Sequence, residues 1–450
     1  MFKKILIANR GEIAVRIIKT CQKLGIRTAA VYSEADRRSL HVKQADEAYF
    51  IGGSRVKESY LNIDNLLRAA KEANADAIHP GYGFLSENAE FAEVVAEKGI
   101  TFIGPLPYTV RKMGNKLEAR KKMMQAGVPV IPGATISPFS ELEAVKAART
   151  IGFPLMVKAA AGGGGIGMQL VEHEQELLTA VATVVKKAET FFGSGDIYFE
   201  KYIKAPRHIE AQIAGDSSGN IKCIGERECS IQRRHQKIIE EAPAVFLSGG
   251  GRHKLHDLAE QAAKSIGYTN VGTVEFLVDT DENIFFLEMN TRLQVEHAVT
   301  EETAGIDLVE WQIRLAAGEQ LSALTAAAAT ADETAEHAME ARIYAEDPNT
   351  FFPSPGTISK WRFPSAEGVR YDFGVEEGTA VTPFYDPLIG KVIAFGSTRA
   401  ATIDLLIQCL RQAEVDGIKT NIPLLLRILT SDDFQKGTAT TVFVTEQQMQ

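Results

Sequence analysis

Between Leu287 and His297, polar side chains that could do chemistry alternate with apolar ones. The polar members of this segment are Glu288, Asn290, Arg292, Gln294 and Glu296. In an extended strand successive side chains point to opposite faces, so these residues would share one face. Carboxylate and amide oxygens suit a hard ion such as Mg²⁺, and a guanidinium suits a small planar anion. The pattern predicts a catalytic strand face, and the alternative is a solvated edge strand.

A third acidic residue precedes this segment. Glu275 lies in the predicted strand Gly272–Val278, which the turn 279–283 joins to a second strand, Ile284–Met289. Pairing of these strands as an antiparallel hairpin would bring Glu275 close to Glu288 and Asn290. Three oxygen ligands at this separation predict a site for one or two Mg²⁺ ions bridging nucleotide phosphates.

A glycine run at 162–165 follows a predicted strand that contains Lys158. Consecutive glycines let backbone N–H groups approach phosphate oxygens closely, but no Gly-Lys-Ser/Thr follows, so the run is not a P-loop. Lys158 and Lys116 are placed to reach a phosphate. Glu200 and Lys201 end another predicted strand, where adenine and ribose are often held. The alternatives are a flexible surface turn, surface charges and a strand-end charge pair.

The block from Glu226 to Lys237 carries arginine, histidine, glutamine and lysine beside carboxylates. A polyanionic substrate needs such a positive lining, and the following Glu240 and Glu241 distinguish it from a general basic patch. The block is predicted to be loop-like, and an exposed charged loop is the alternative. Arg342, further along, would by itself be interpreted as a member of a structural ion pair rather than as a functional residue.

Composition narrows the classes of protein. The chain has 450 residues and a net charge of −9, which argues against nucleic-acid binding through a general basic surface. No apolar run approaches the roughly 18 residues that span a membrane. The four cysteines form no CxxC pair, which favours reduced thiols in a cytoplasmic protein.

The length suggests about three domains. Strands alternate with helices over residues 1–113, which predicts an α/β unit with an open parallel sheet. A second region covers 114–321, and the Ala- and Thr-rich segment 322–337 is predicted to be a linker. Residues 338–450 combine short strands with two helices and are predicted to be α+β.

Several motifs together resemble biotin carboxylase, the ATP-grasp component of biotin-dependent carboxylases. They are Ile7–Glu12 (IANRGE), His79–Asn88 (HPGYGFLSEN), the glycine loop, Gln232–Lys237 (QRRHQK), Glu288–Arg292 (EMNTR) and Ala345–Pro348 (AEDP). The resemblance covers essentially the whole chain. It implies an N-terminal pre-ATP-grasp (Rossmann-like) domain at 1–113, an ATP-grasp domain at 114–321 with a glycine-rich lid at about 131–203, and a biotin carboxylase C-terminal domain at 338–450.

The same resemblance implies a role for each matching residue. ATP would be held by Lys116, Lys158, Gly163, Gly164, Gly165, Met168, Glu200, Lys201, His208, Gln232 and His235. Mg²⁺, or Mn²⁺ in its place, would be held by Glu275, Glu288 and Asn290. Bicarbonate would be held by Lys237, Arg292, Gln294 and the Val295 backbone. Glu296 would be the general base, and Arg342 would stabilise the biotin enolate.

Three positions depart from the family pattern. Ile166 stands where these glycine loops usually carry Arg or Lys, Gln169 replaces a common Arg, and Ala298 replaces the usual Pro after His297. Loss of a phosphate-facing cation weakens nucleotide binding. We therefore expect an Ile166→Arg variant to bind ATP more tightly than the natural chain in a direct titration, and equal affinities would contradict this expectation.

No Met-Lys-Met biotinylation site occurs, and no carboxyltransferase region is present in the chain. The resemblance therefore implies work on biotin carried by another polypeptide, with carrier and carboxyltransferase subunits as partners, and a homodimer by analogy. The assembly would be an acyl-CoA carboxylase or a split pyruvate carboxylase. Two alternatives stay open, namely another ATP-grasp ligase and a catalytically silent subunit that binds nucleotide.

Overall fold

A computed structural model describes residues 1–136, 140–159, 168–192, 196–234, 236–328 and 335–448. The predicted site residues Gly163, Gly164, Gly165 and His235, together with Ile166, lie outside these ranges. Within them the chain is built around three larger sheets of five, four and eight strands and two further two-stranded sheets.

The first unit is an α/β layer structure. Its strands are β1 (Lys4–Ile7), β2 (Arg27–Tyr32), β3 (Glu47–Phe50), β4 (Ala77–His79) and β5 (Thr101–Phe102), and its helices are α1 (Gly11–Lys23), α2 (Leu40–Gln44), α3 (Ile63–Glu72), α4 (Ala89–Glu97) and α5 (Pro107–Gly114). The strands pair in parallel in the order β3-β2-β1-β4-β5. Apolar clusters cover both faces of β1, so its neighbouring side chains Leu6 and Ile7 are both fully buried. The predicted open parallel sheet is confirmed.

Asparagine side chains define several helix starts. Asn62 and Asn88 accept backbone hydrogen bonds from Asn65 and Phe91 at the first turns of α3 and α4. Such caps satisfy N–H groups that have no partner within the helix. Asn115 does the same for α6 (Lys116–Gln125), which begins the second unit.

A four-stranded antiparallel sheet occupies much of the region expected to form a lid. It contains β6 (Gly133–Ile136), β7 (Leu155–Ala159), β8 (Met168–Val171) and β9 (Ile197–Lys201), with α7 (Glu141–Ile151) and α8 (Leu177–Phe192) between them in sequence. The strand order is β6-β9-β7-β8. This sheet has an apolar cluster of its own, which includes Val157, Phe199 and Val181.

The largest sheet has eight antiparallel strands and continues from the second unit into the third. Its first strands are β10 (Arg207–Gly215), β11 (Ile221–Arg233), β12 (Gln236–Ala242), β13 (Asn270–Val278) and β14 (Ile284–Asn290), with α9 (Gly249–Ser265), α10 (His297–Ala304), α11 (Leu308–Ala316) and α12 (Leu321–Ala328) as the associated helices. These five lie in the order β14-β13-β10-β11-β12, and β12 pairs with β15 (His337–Tyr344) across the boundary, followed by two more strands, β20 (Leu388–Gly396) and β18 (Val369–Phe373).

The third unit completes that sheet and adds short strands and helices. These elements are β16 (Gly356–Thr357), β17 (Lys360–Arg362), β18 (Val369–Phe373), β19 (Ala380–Val381), β20 (Leu388–Gly396), β21 (Glu414–Asp416), α13 (Arg399–Gln412), α14 (Ile422–Leu429), α15 (Asp432–Gln435) and α16 (Phe443–Gln448). The predicted α+β character of this region is confirmed.

Two local predictions were wrong, and a third segment, the predicted linker, is partly helical. The polar block at 226–241 is not a loop, because most of it lies in β11 and β12, where partner charges are supplied across the sheet. The strand predicted to reach Glu296 ends at Asn290. The linker predicted at 322–337 begins within helix α12, whose Leu321 and Leu324 are buried, and ends at the first residue of β15. Tertiary burial explains this helix, since two leucines suffice to anchor an alanine-rich segment of high helix propensity.

All four cysteines are buried free thiols, as predicted. Burial raises the pKa of the Cys229 thiol well above its ordinary value, and nearby carboxylates such as Glu210 add to the rise. This residue therefore has a packing role. In the described part of the chain, no helix combines the length and apolar character needed to cross a membrane.

Candidate active site

The register of the large sheet places three carboxylates in a row. Glu210 on β10 lies opposite Glu275 on β13, which lies opposite Glu288 on β14. Side chains at opposed positions of antiparallel strands share a face and lie close together. Adjacent like charges repel one another, so this row requires a cation. The hairpin predicted from the sequence is confirmed, and it contributes two of the three acids.

Lys237 supplies a cation for this row. From β12 its ammonium donates to Glu210 at 2.6 Å, to Glu275 at 3.0 Å and to Glu296 at 2.7 Å. Burial disfavours the charged lysine, but the three carboxylates outweigh it and raise the Lys237 pKa well above its ordinary value. Burial likewise opposes ionisation of Glu275 and Glu296, yet Lys237 helps to hold the pKa of both below their usual range.

Arg342 approaches Glu296 from the other side. It projects from β15, and its Nη2 lies 2.9 Å from a Glu296 oxygen and 2.5 Å from a Glu240 oxygen. Burial raises the pKa of Glu240 to about 7, against the effect of Arg342 and in the same direction as the repulsion from Glu296. Glu296 is thus ionised between two cations that originate from different units of the chain.

A second arginine, Arg227, is fully buried beneath these groups. Its guanidinium donates to Glu210, Gln212, Thr273, Gln294 and Thr300 at 2.6–3.2 Å. Gln294 in turn donates to Glu275 at 2.6 Å. A guanidinium that uses its planar fork in this way fixes each acceptor, so Arg227 holds Gln294 in place.

The segment 291–296 turns away from the sheet and enters helix α10. Glu87, from the loop before α4, accepts hydrogen bonds from the Thr291 backbone at 3.0 Å and from Arg292 Nε at 2.9 Å. Lys391 on β20 donates to the Val295 carbonyl at 2.6 Å. Contacts from the first and third units thus shape this turn, and they keep Arg292, Gln294 and Glu296 together even though the strand has ended.

Most of the other predicted residues lie in two places, on the large sheet and on the small four-stranded sheet. His208 on β10 accepts from Gln232 at Nδ1, at 2.7 Å, and its Nε2 lies 2.8 Å from Glu275. Lys158 contacts Glu200 across the small sheet, and Lys201 donates to the Phe153 carbonyl at 2.8 Å. Met168 is the first residue of β8 and pairs in register with Lys158.

Helix α6 connects the two sheets. Lys116, in its first turn, lies 3.4 Å from Glu288, while Arg120, one turn later, lies 4.0 Å from Glu200. Two positions four residues apart lie on the same helix face. One face of α6 therefore borders both the carboxylate row of the large sheet and the Lys158–Glu200 pair of the small sheet.

The residues present fit a divalent cation. Glu275 and Glu288 are opposed carboxylates, and Asn290 adjoins Glu275 through a 2.8 Å hydrogen bond from its Nδ2. Its Oδ1 accepts from Arg292 at 2.8 Å, so the amide must turn for its oxygen to join the carboxylates. Among the described residues, His208, Glu210 and Glu275 also bring ligand atoms within 4.8 Å of one another.

Sequence reasoning assigned no role to Glu210, Arg227, Glu87 or Lys391. Arg227 lies inside the polar block, and Glu87 lies inside the motif at 79–88. The sequence therefore contained a partial indication that both residues belong to the site. Glu210 alternates with apolar residues in a strand, which is a weak signal without knowledge of its neighbours. Lys391 stands alone in an apolar strand, where a lysine predicts a buried ion pair only if the strand is known to be internal.

Family models match along nearly the whole chain. They are "Biotin carboxylase, N-terminal domain" at 1–110, "Carbamoyl-phosphate synthase L chain, ATP binding domain" at 115–324 and "Biotin carboxylase C-terminal domain" at 340–446. An ATP-binding domain between these two units is the architecture of an ATP-dependent ligase.

Individual relatives agree with the family models. "Biotin carboxylase" from Halalkalibacterium halodurans is 57% identical over 99% of this chain and 98% of that protein. The crystal structure of a biotin carboxylase–beta-gamma-ATP complex from Campylobacter jejuni has a TM-score of 0.91, with 45% identity and 99% coverage of both chains.

A further solved relative is the biotin carboxylase domain dimer of Hydrogenobacter thermophilus 2-oxoglutarate carboxylase, in complex with MgADP, ADP and bicarbonate. It has a TM-score of 0.89 and 44% identity, covering 99% of this chain and 98% of that one. The chain belongs to the biotin carboxylase family, and the predicted three-domain ATP-grasp fold and ligase class are confirmed.

Proposed function

We propose that this chain carboxylates biotin carried on a separate protein, using MgATP and bicarbonate. The observation that carries the proposal is that Glu296, a buried ionised carboxylate, lies between Lys237 and Arg342, and that Lys237 also contacts Glu210 and Glu275. ATP, Mg²⁺ and bicarbonate are supported by the relatives solved with an ATP complex or with MgADP and bicarbonate. Mn²⁺ would take the place of Mg²⁺ at the same oxygen ligands.

Bicarbonate would bind among Lys237, Arg292, Gln294 and the Val295 backbone. Glu296 would accept the proton of the bicarbonate hydroxyl, and the resulting oxygen would attack the γ-phosphorus of ATP, forming carboxyphosphate and releasing ADP. Carboxyphosphate would then release CO₂ and phosphate. The phosphate would take the N–H proton of the biotin ureido group, and the ureido nitrogen would capture the CO₂. Arg342 would stabilise the negative charge that develops on the ureido oxygen of biotin.

The low pKa of Glu296 bears on its role as a base. A general base works best when its pKa lies near the working pH. In the structure Lys237 donates to Glu296 and helps to hold the carboxylate ionised. A bicarbonate anion bound to Lys237 would compete for this ammonium, so binding of the substrate would itself raise the basicity of Glu296 at the moment the base is needed.

Nucleotide would be held between the two sheets that α6 connects. Lys116, Lys158 and the glycine loop with Gly163, Gly164 and Gly165 would reach the phosphates. Met168, Glu200, Lys201, His208, Gln232 and His235 would complete the ATP site. Glu275, Glu288 and Asn290 would hold Mg²⁺, which supplies charge neutralisation to the transferring phosphoryl group. Lys116 beside Glu288 and His208 beside Glu275 support this placement.

The partners would be a biotin carboxyl carrier protein and carboxyltransferase subunits of an acyl-CoA carboxylase. A homodimer is proposed because the relative from Hydrogenobacter thermophilus was solved as a domain dimer. That relative belongs to a 2-oxoglutarate carboxylase, so a keto-acid carboxylase, such as a split pyruvate carboxylase, is the second candidate assembly. Reconstitution with carrier and carboxyltransferase subunits, assayed with acetyl-CoA and with pyruvate, would separate the two.

The first experiment is steady-state ADP release by the purified chain with MgATP and bicarbonate, with and without free biotin or a biotinylated carrier domain. We expect biotin to stimulate ADP release, and the stimulation to vanish when bicarbonate is removed. Failure of both biotin sources to stimulate release would favour another ATP-grasp ligase or a silent subunit.

A further inference from the structure

A buried lysine that has no role in the proposed site contacts the turn that carries Arg292, Gln294 and Glu296. Lys391 lies in the middle of β20 and is fully buried. Its ammonium donates a 2.6 Å hydrogen bond to the carbonyl oxygen of Val295. This carbonyl belongs to the peptide group that joins Val295 to Glu296. The hydrogen bond therefore fixes the orientation of the peptide plane next to the Glu296 Cα.

Carboxylates from three elements surround the same ammonium at longer range. Glu12 on α1 and Glu340 on β15 lie 3.7 Å from Lys391 Nζ, and Asp372 on β18 lies 4.0 Å away. Burial disfavours the lysine charge, but these three acids outweigh it and raise the Lys391 pKa, although Arg370 opposes them. The residue is therefore a cation, which strengthens its hydrogen bond to a neutral carbonyl.

The distances distinguish two roles for this cation. The three carboxylates lie beyond the usual hydrogen-bond range, whereas the Val295 carbonyl lies well within it. A lysine that served only to neutralise the acids would be expected to donate directly to one of them. The acids instead keep the ammonium charged while its hydrogen bond goes to the turn.

The turn has little regular structure of its own to hold it. Strand β14 ends at Asn290, helix α10 begins at His297, and Glu296 at the helix N-cap makes no side-chain capping hydrogen bond. His297, the first residue of α10, is itself buried, and its Nδ1 contacts the Gln294 carbonyl at 2.8 Å. Lys391 and His297 thus contact successive carbonyls of this turn, and Lys391 connects it to the third unit.

We propose that Lys391 is a positioning residue for the use of bicarbonate. Lys391 holds the Val295–Glu296 peptide in the orientation that the base and the bicarbonate site require. The inference rests on the proposed function, because it assigns bicarbonate to this turn. Small displacements of a reacting group cost large factors in rate, so loss of this contact affects bicarbonate turnover more than nucleotide binding.

The test compares three variants in the ADP-release assay at pH 8. Lys391→Met removes the ammonium and keeps the length of the side chain. Burial raises the pKa of Glu12 to about 7, so its carboxylate is largely ionised at pH 8, and a Glu12→Gln/Lys391→Met double variant removes one charge of each sign. Glu12→Gln alone is the matched control, since it leaves the hydrogen bond from Lys391 to Val295 in place.

We expect kcat/KM for bicarbonate to fall roughly 10- to 100-fold in both Lys391 variants. The KM for ATP should stay within about twofold of the natural chain, because the nucleotide contacts are elsewhere. Glu12→Gln should keep the bicarbonate parameters of the natural chain. The melting temperature of the double variant, with and without MgADP, reports that it is folded.

A folded double variant with unchanged kcat/KM for bicarbonate would overturn the inference, as would equal losses for bicarbonate and ATP, which a purely structural role predicts. Failure of the proposed function is recognised separately. If the natural chain released no ADP in response to bicarbonate, the proposed function would fall and this inference with it.

Discussion

Replacement of Glu296 by glutamine is expected to lower bicarbonate-dependent ADP release by roughly 10²- to 10⁴-fold. The amide has nearly the same size as the carboxylate but cannot accept the proton of bicarbonate. The amide oxygen can still accept a hydrogen bond from Lys237, which lies 2.7 Å from Glu296 in the natural chain. Lys237 therefore keeps a hydrogen-bond partner at this position. The expected defect therefore lies in chemistry rather than in folding.

The measurement is kcat for ADP release at saturating MgATP and bicarbonate, together with MgADP affinity as a check of the folded site. Glu72→Gln, on the exposed surface of α3, is the matched control and should behave as the natural chain does. A Glu296→Gln enzyme that kept a substantial fraction of the natural rate would remove Glu296 from the role of base.

Replacement of Lys237 by methionine is expected to have a large effect on both stability and activity. The natural ammonium contacts Glu210, Glu275 and Glu296, all of which are buried. Removal of one partner from a buried ion pair typically costs about 3–5 kcal/mol because the other charge is left uncompensated. Bicarbonate-dependent ADP release should fall as well, since a cation proposed to bind bicarbonate is lost.

The loss of stability should depend on pH with a definite sign. Without Lys237 the effect of burial on Glu275 is opposed chiefly by His208, which lies 2.8 Å away, so the Glu275 pKa rises from its lowered value. Once the folded pKa exceeds the unfolded value of about 4.3, the folded variant binds more protons than the unfolded chain, and stability falls as pH rises. In the natural chain the Glu275 pKa is lowered instead. The contribution of Glu275 to the free energy of unfolding is therefore present at neutral pH and is lost only in acid.

Urea unfolding of the Lys237→Met variant at pH 6 and pH 8 tests this expectation. The deficit in unfolding free energy relative to the natural chain should be larger at pH 8. Lys222→Met, at an exposed position on the neighbouring strand β11, is the control and should unfold like the natural chain at both pH values. A deficit that is equal at the two pH values, or larger at pH 6, would contradict the role given to Lys237.

Local patterns predicted much of the secondary structure. The apolar periodicity of the sequence predicts helices at Ile63–Glu72, Lys116–Gln125 and Ile422–Leu429 and a strand at Ala77–His79, and the structure has the same bounds. Caps such as Asn62 and Asn115 and the spacing of apolar residues are local signals, and they are sufficient where no long-range pairing overrides them. The hairpin of Glu275 and Glu288 was also accessible, since a short turn brings its strands together.

The errors occurred where long-range partners decide the outcome. Charges in the block at 226–241 suggested a loop, yet Arg227 is fully buried because β10, β13 and α10 supply its acceptors. The alternation that suggested one strand as far as Glu296 is interrupted after Asn290, where Glu87 binds the next two residues from a distant part of the chain.

By itself, the sequence determined the class of fold and the hairpin with its acids, because residue type and local spacing are properties of the chain alone. Most residues with a proposed role were implied by the resemblance of its motifs to a known family. Only the tertiary structure decided that Lys237 bridges three carboxylates, that Arg342 meets Glu296, and that Lys391 holds the Val295 carbonyl. These contacts join residues 27 to 96 positions apart in the chain. Their energies depend on burial, which exists only once the sheets have packed.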